Sequence, residues 1–278
     1  MSTPDRNTQP IDSLYRSVAL RRRHYHDYLL EHYLVDGDRT ISPDDAMLHD
    51  GPNAYFMASL SALHQIDVAL RASARAFGDV QRILDIPCGH GRVLRALRAA
   101  MPAAEIVACD IDRSGVDFCA RQFDATPVYS CADVDLIPLE GVFDLVWVGS
   151  LFTHLDAPQW RAFLRRLFGV VRPGGVLVFT TAGRFVVELI RAGELGGVSS
   201  DEAARLLAGW ERTGFGFARY EDDDAAQSVD QTYGRAVVRP EWVIEELSTL
   251  PGARLVTCSE QAWNLRQDVY AVTRSAPD

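Results

Sequence analysis

The chain predicts an α/β protein: a doubly wound, mostly parallel seven-stranded sheet with an antiparallel last strand, an N-terminal helical layer and an insertion before the sixth strand. Three observations carry that prediction. After Gly78, apolar runs alternate with amphipathic segments, the pattern of a parallel sheet covered by helices on both faces. The first run ends in a turn with two glycines, Gly89 and Gly91, that opens into a helical pattern, as at the first crossover of such sheets. The connection between the last two apolar runs is too short for a parallel crossover, which needs about a dozen residues, so that pair must be antiparallel.

Taken in order, residues 1–12 are polar with two prolines and form an arm. The spacing of Leu14, Val18, Tyr25, Tyr28, Leu29 and Tyr33 predicts a helix over 11–34, and 54–77 predicts a longer one, with Gly37, Pro43, Gly51 and Pro52 marking the connection. His24, His26 and His32 lack the three- or four-residue separations that align ligands on one helix face, so no metal is expected. Strands follow at 82–86, 105–109, 126–130, 143–149 and 176–181, with helices at 92–100, 114–123 and 157–171. Asp156 and Gln159 suggest a capping box for the last helix, with Pro158 in its first turn. Arg172-Pro173-Gly174-Gly175 stops that helix and turns the chain into the fifth strand.

From 185 to 239 the alternation breaks into helical pieces at 185–193 and 201–210 and an aromatic, acidic loop. A helix at 240–250 and strands at 254–259 and 267–273 close the chain. The expected organisation is therefore a helical N-terminal accessory segment (1–79), a core of 80–184 with 240–278, and a substrate-side insertion (185–239).

With 278 residues, 47% hydrophobic and 24% charged, the composition is that of a globular protein. The net charge of -10 opposes nucleic-acid partners, and the triplet Arg21, Arg22 and Arg23 is expected as a solvated helix face. Five cysteines without C-x-x-C spacing suggest a reduced, cytoplasmic protein, and no apolar run reaches the roughly 18 residues of a membrane span. A homodimer is compatible with these features but not required by them.

Chemistry concentrates in Leu84-Asp85-Ile86-Pro87-Cys88-Gly89-His90-Gly91. Two ligand classes compete for such a turn, a nicotinamide or flavin dinucleotide and S-adenosylmethionine. The dinucleotide fingerprint G-x-G-x-x-G lacks one glycine in either alignment on Gly89 and Gly91. Asp85 at the strand end would face an anionic pyrophosphate but suits a cationic amino-acid head group. Asp110, 19 residues beyond Gly91 at the end of the second strand, can accept two ribose hydroxyls in either class. Cys88 is expected to be a small turn residue, and Asp144, at the start of its strand, a structural one.

The stretch from Leu84 to Gly91 resembles the first motif of class I S-adenosylmethionine-dependent methyltransferases of the small-molecule type, with Pro87 where glycine is usual. That resemblance extends over 80–183 and, in topology, over 240–274. It implies S-adenosyl-L-methionine as cofactor, held by Asp85, Pro87, Cys88, Gly89 and Gly91, by Asp110 with Ile111 beside the adenine, and by Asp133 and Val134. Phe143-Asp144-Leu145-Val146-Trp147-Val148-Gly149 is similar to the family's fourth motif, which adds Gly149, Ser150 and Leu151. The implied activity is in-line methyl transfer to a small-molecule acceptor, governed by proximity. Where the acceptor is a hydroxyl, His154 is the candidate general base. Acceptor selection falls to the N-terminal helices and the insertion, whose Trp210, Phe215, Phe217, Tyr220 and Tyr233 could wall a pocket; Phe152, Tyr220 and Tyr233 are the candidate lining residues, and the acidic run 221–224 is expected in solvent. A nicotinamide-dependent oxidoreductase and a non-catalytic cofactor-binding partner protein remain the alternatives.

Overall fold

The computed structural model describes residues 27–34, 37–220 and 233–275. The N-terminal arm, Arg21 to Arg23, His24, His26 and the acidic run 221–224 lie outside the described residues. Nine strands occur among the described ones: β1 (Arg82–Asp85), β2 (Glu105–Asp110), β3 (Thr126–Tyr129), β4 (Phe143–Val148), β5 (Val171–Thr181), β6 (Phe215–Arg219), β7 (Gly234–Val238), β8 (Ala253–Trp263) and β9 (Gln267–Arg274). The longer helices are α1 (Gly51–Ala72), α2 (Leu94–Ala100), α3 (Arg113–Phe123), α4 (Ala157–Gly169), α5 (Arg184–Ala192), α6 (Ser200–Thr213) and α7 (Pro240–Ser248).

Seven strands form one sheet in the order β3-β2-β1-β4-β5-β9-β8. Strands β1 to β5 pair in parallel, and β9 runs antiparallel to both β5 and β8. The expected fold is therefore observed, and the strand order reverses between β1 and β4, where such sheets open a ligand crevice.

Successive residues of each central strand point into opposite cores, which is why these strands are continuously apolar. Ile83, Leu145 and Trp147 pack beneath α1, α2 and α3, and Leu84, Val146 and Val148 beneath α4 and α7. Leu60, Leu63, Ile66 and Leu70 of α1 are integral to the first core, so the N-terminal layer covers the sheet rather than decorating it. No helix among the described residues is long and apolar enough to cross a membrane.

Three local expectations need correction. Strand β5 begins at Val171, not 176: Val171 pairs with Phe143, and the Arg-Pro-Gly-Gly segment is an irregular entry within the strand, with the register shifting between Phe143 and Leu145. The capping box on α4 is only half made, because Asp156 accepts from the Gln159 N–H without a reciprocal bond. The insertion also contains a hairpin, β6–β7, absent from the sequence reading. Its strands are short, and the connection between them is far longer than a two-residue turn, so no hairpin signal exists to read. Helix α6 lies directly on β6 because both carry glycine at the contact. A Cβ on Gly216 would fall 2.0 Å from the Leu206 carbonyl oxygen, and one on Gly209 2.7 Å from Gly216 Cα.

At the sheet's bottom edge Asp144 is 2% exposed and fully satisfied. Oδ1 accepts from Arg75 at 2.9 Å and Arg172 at 2.8 Å, and Oδ2 from the Gln81 and Arg82 N–H groups at 3.1 and 3.0 Å. Burial pushes its pKa up, but the bonds from Arg75 and Arg172 and the backbone donors outweigh it and hold it below the ordinary carboxylate value. With a depressed folded pKa, this stability is present above the unfolded pKa and lost as pH falls through the folded one. Replacing Asp144 by Ala strands the guanidinium groups and should cost about 3–5 kcal/mol in urea denaturation, with a reduced loss of stability on acidification.

Candidate active site

The chain leaves β1 at Asp85 and is pinned at once to both neighbouring strands. Ile86 N–H donates to the Trp147 carbonyl at 3.0 Å and Cys88 N–H to the Cys109 carbonyl at 3.0 Å. The turn then requires glycine twice. Gly89 has φ +49°, and a Cβ there would meet nothing within 4 Å, so conformation alone selects it. Gly91 has φ +79°, and a Cβ would also collide with the Phe123 ring at 2.5 Å. Cys88 is buried, its thiol pushed well up by Cys119 and by burial, which leaves it a packed turn residue and not a nucleophile.

Asp110 at the end of β2 ties this turn in place. Its Oδ2 accepts the Gly89 N–H at 2.7 Å and its Oδ1 the Asp112 N–H at 2.9 Å. Burial raises its pKa against the pull of those bonds. Each oxygen retains a lone pair, so the carboxylate can still accept two hydroxyls.

Asp85 differs sharply: it is 1% exposed, and neither carboxylate oxygen has a hydrogen-bond partner among the described residues. Burial first, and then the charge on Asp110, drive its pKa well above the ordinary range, with Arg92 opposing. A buried, unsatisfied carboxylate is costly unless something cationic reaches it.

A cavity opens over the strand ends, lined by Ile86, Pro87, Asp110, Ile111, Leu151 and Tyr233, and further by Ser130, Cys131, Ala132, Leu155, Gln159 and Phe163. Four of the expected cofactor residues (Pro87, Asp110, Ile111 and Leu151) and one expected acceptor-side residue (Tyr233) thus meet at one surface. Asp85, Cys88, Gly89, Gly91, Gly149 and Ser150 lie outside that lining, as do Asp133 and Val134. Asp133 caps a short 3₁₀ turn by accepting the Asp135 N–H, and Val134 is buried in the core. The wall on that side is built one step earlier, by 130–132, where β3 has just ended.

After β4 the chain turns sharply. Gly149 has no room for a side chain because a Cβ would sit 2.9 Å from the Trp147 indole nitrogen. Ser150 adopts φ +65°, held by its N–H on Thr180 Oγ1 at 2.8 Å and by Gln267 Nε2 on its Oγ at 2.6 Å. That strained residue aims Leu151 at the cavity. Phe152 turns the other way: it is 1% exposed among Trp160 and Phe179, so it belongs to the core and not to an acceptor pocket.

The expectation of a near-neutral base at His154 is also corrected. Burial lowers its pKa to about 4. Its Nδ1 lies 3.0 Å from the Gly234 carbonyl and 2.9 Å from the Tyr220 hydroxyl, and its ring stacks on Tyr233 at 4.9 Å. The insertion's aromatics have separate roles. Trp210 fills the insertion's own core, Phe215 and Phe217 pack on the sheet, and Tyr220 and Tyr233 gather around His154. Among the cavity residues missed from sequence, Gln159 had a usable signal, since it lies in the first turn of α4, which follows the β4 loop.

Comparison with known proteins bears on this arrangement. Residues 83–175, from β1 into β5, match the family model described as "Methyltransferase domain". That stretch resembles a methyltransferase domain. The chain is 37% identical over 112 residues to a malonyl-[acyl-carrier protein] O-methyltransferase of Enterobacter lignolyticus (strain SCF1), covering 40% of this chain and 41% of that protein. A fatty-acid O-methyltransferase of Mycolicibacterium smegmatis is 27% identical over 154 residues, 52% of this chain and 56% of the relative. The chain therefore spans about half, or less, of the length of these curated relatives. The crystal structure of an S-adenosylmethionine-dependent methyltransferase from Clostridium acetobutylicum ATCC 824 superposes with a TM-score of 0.51 over 93% of this chain and all of that one, at 13% identity, a likeness of fold.

Because its folded pKa is raised, Asp85 costs the fold stability as pH rises from the unfolded value of about 3.9 through the folded one. Asp85→Asn should raise the melting temperature at neutral pH by a few degrees and flatten its dependence on pH between mild acid and neutrality; thermal melts across that range check it.

Proposed function

We propose that the chain is an S-adenosylmethionine-dependent methyltransferase whose small-molecule acceptor presents an oxygen that is already ionised, such as a carboxylate. The observation that carries the cofactor is the Asp85 carboxylate, buried beside the glycine turn with both oxygens unpartnered. A methionine ammonium is the group of matching charge and size. Asp110 would take the ribose hydroxyls, and Ile111, Ala132 and Leu151 offer apolar surface to an adenine. The missing third glycine and the strand-end acid argue against a dinucleotide pyrophosphate, and thus against the oxidoreductase reading.

When bound, S-adenosylmethionine supplies an electrophilic methyl on a positively charged sulfur. The chain's own residues then have to bind, orient and exclude water. Asp110, fixed by two backbone donors, orients without rearranging. Ser150, fixed through Thr180 and Gln267, presents Leu151 as an apolar wall. His154 does not supply a base suited to neutral pH, since its pKa is about 4 and its Nδ1 is engaged by Gly234. A carboxylate acceptor is ionised at neutral pH and needs none, and both relatives carry O-methyltransferase names that include an acyl or fatty-acid acceptor. The five unpaired cysteines fit a reducing, cytoplasmic setting.

Calorimetry with S-adenosylhomocysteine and, separately, NADH tests the cofactor. Binding of the first alone is expected, whereas binding of NADH alone would sink the reading. Because the raised pKa of Asp110 favours its protonated form in mild acid, affinity for S-adenosylhomocysteine should fall as pH is lowered through that range. In assays on a panel of carboxylic acids and phenols, methyl transfer to a carboxylate is expected, with kcat showing no ionisation of an enzyme base between about pH 6 and 9. Transfer confined to phenols would exclude the carboxylate.

A further inference from the structure

Where the hairpin β6–β7 meets the loop after β4, the seam is hydrogen-bonded in both directions. Gly234 N–H donates to the His154 carbonyl at 3.0 Å, while His154 Nδ1 lies 3.0 Å from the Gly234 carbonyl. A carbonyl only accepts, so the proton sits on Nδ1, and the Tyr220 hydroxyl at 2.9 Å shares it. One residue on each side, Leu155 and Tyr233 form an antiparallel bridge. The imidazole stacks on the Tyr233 ring with an interplanar angle of 20°. Tyr233 is thus gripped at both backbone and ring.

What is gripped is a ring that faces the cavity. Tyr233 lines the same cavity as Pro87, Asp110, Ile111 and Leu151. Burial first, then Tyr220, then the Asp110 charge push its phenol pKa up, so the hydroxyl stays protonated and is a donor. One cavity therefore presents a carboxylate that accepts and a phenol that donates, between apolar walls. A nucleoside offers the complement: hydroxyls that donate, ring nitrogens and a ring oxygen that accept, and an apolar face.

We propose that Tyr233 donates a hydrogen bond to the nucleoside end of the cofactor and that His154 is the positioning residue that holds it there. The proposal rests on the cofactor reading above and goes beyond it. The insertion, from its sequence an acceptor-side element, serves the cofactor as well, and the histidine that invites a base assignment is a fastening.

The test titrates wild-type protein, Tyr233→Phe, His154→Ala and His154→Asn with S-adenosylhomocysteine and with 5′-methylthioadenosine, which has the nucleoside and thioether but no amino acid. Tyr233→Phe keeps the stacked ring and should weaken both ligands by the same factor, about 3–10-fold, the worth of one hydrogen bond. His154→Ala should weaken both comparably, with little further loss in the Tyr233→Phe/His154→Ala double variant, because the two residues act as a unit. His154→Asn, whose side-chain amide can still donate to the Gly234 carbonyl, should recover most of the affinity. Unchanged affinity of Tyr233→Phe for both ligands, with the acceptor KM raised instead, would place Tyr233 on the acceptor side and overturn the proposal. A lower melting temperature for His154→Ala without weaker binding would overturn the positioning role. If wild-type protein binds neither ligand, the cofactor reading falls first and takes this one with it.

Discussion

The backbone of the glycine turn between β1 and α2 has to run in contact with the first turn of α3, and the site depends on that close approach. A Cβ on Gly115 would sit 2.5 Å from the Gly89 carbonyl oxygen, so the helix can approach only because position 115 has no side chain. From the other side Asp110 draws in the Gly89 N–H at 2.7 Å. Held between the two, the turn closes over the end of β1 and seals Asp85 in the interior without a partner. The burial that raises the pKa of Asp85 and Asp110 goes with that compression.

Asp85 and Asp144 make the argument by contrast. They lie at opposite ends of paired strands, both almost fully buried, and are the same residue type. Asp144 accepts four hydrogen bonds, and its pKa is lowered; Asp85 accepts none, and its pKa is raised. One end of the sheet is chemically complete, and the other buries an acid without a hydrogen-bond partner among the described residues. That asymmetry separates the two acids more firmly than position in a motif does.

The elements outside the parallel-sheet core are also tied to the site. Ser59 of α1 donates to the Arg92 carbonyl, and Arg95 links the glycine turn to the N-terminal layer by bonding the Gly91, Asp38 and Thr40 carbonyls. Among the described residues, the insertion reaches the cavity through Tyr233. Both additions therefore shape the strand ends, where specificity in such sheets is decided.

The doubly wound sheet, the antiparallel last strand, the glycine turn and the two strand-end acids were legible in the residues, because they depend on local periodicity, turn chemistry and connection length. Pro87, Asp110, Ile111 and Leu151 were expected together from the family resemblance, and they line one cavity. The pattern alone also misdirected at defined places: Asp133 and Val134 instead of 130–132, Phe152 at the cavity instead of in the core, and His154 as a base. Each of those depends on which way a side chain turns after a strand ends, and loop direction is set by what the loop packs against. The tertiary structure alone decided that His154 is half-buried, stacked and close to Gly234, since its partners lie 66 to 80 residues away. Burial and distant hydrogen bonds set a group's pKa and its role, and neither is written in the neighbouring sequence.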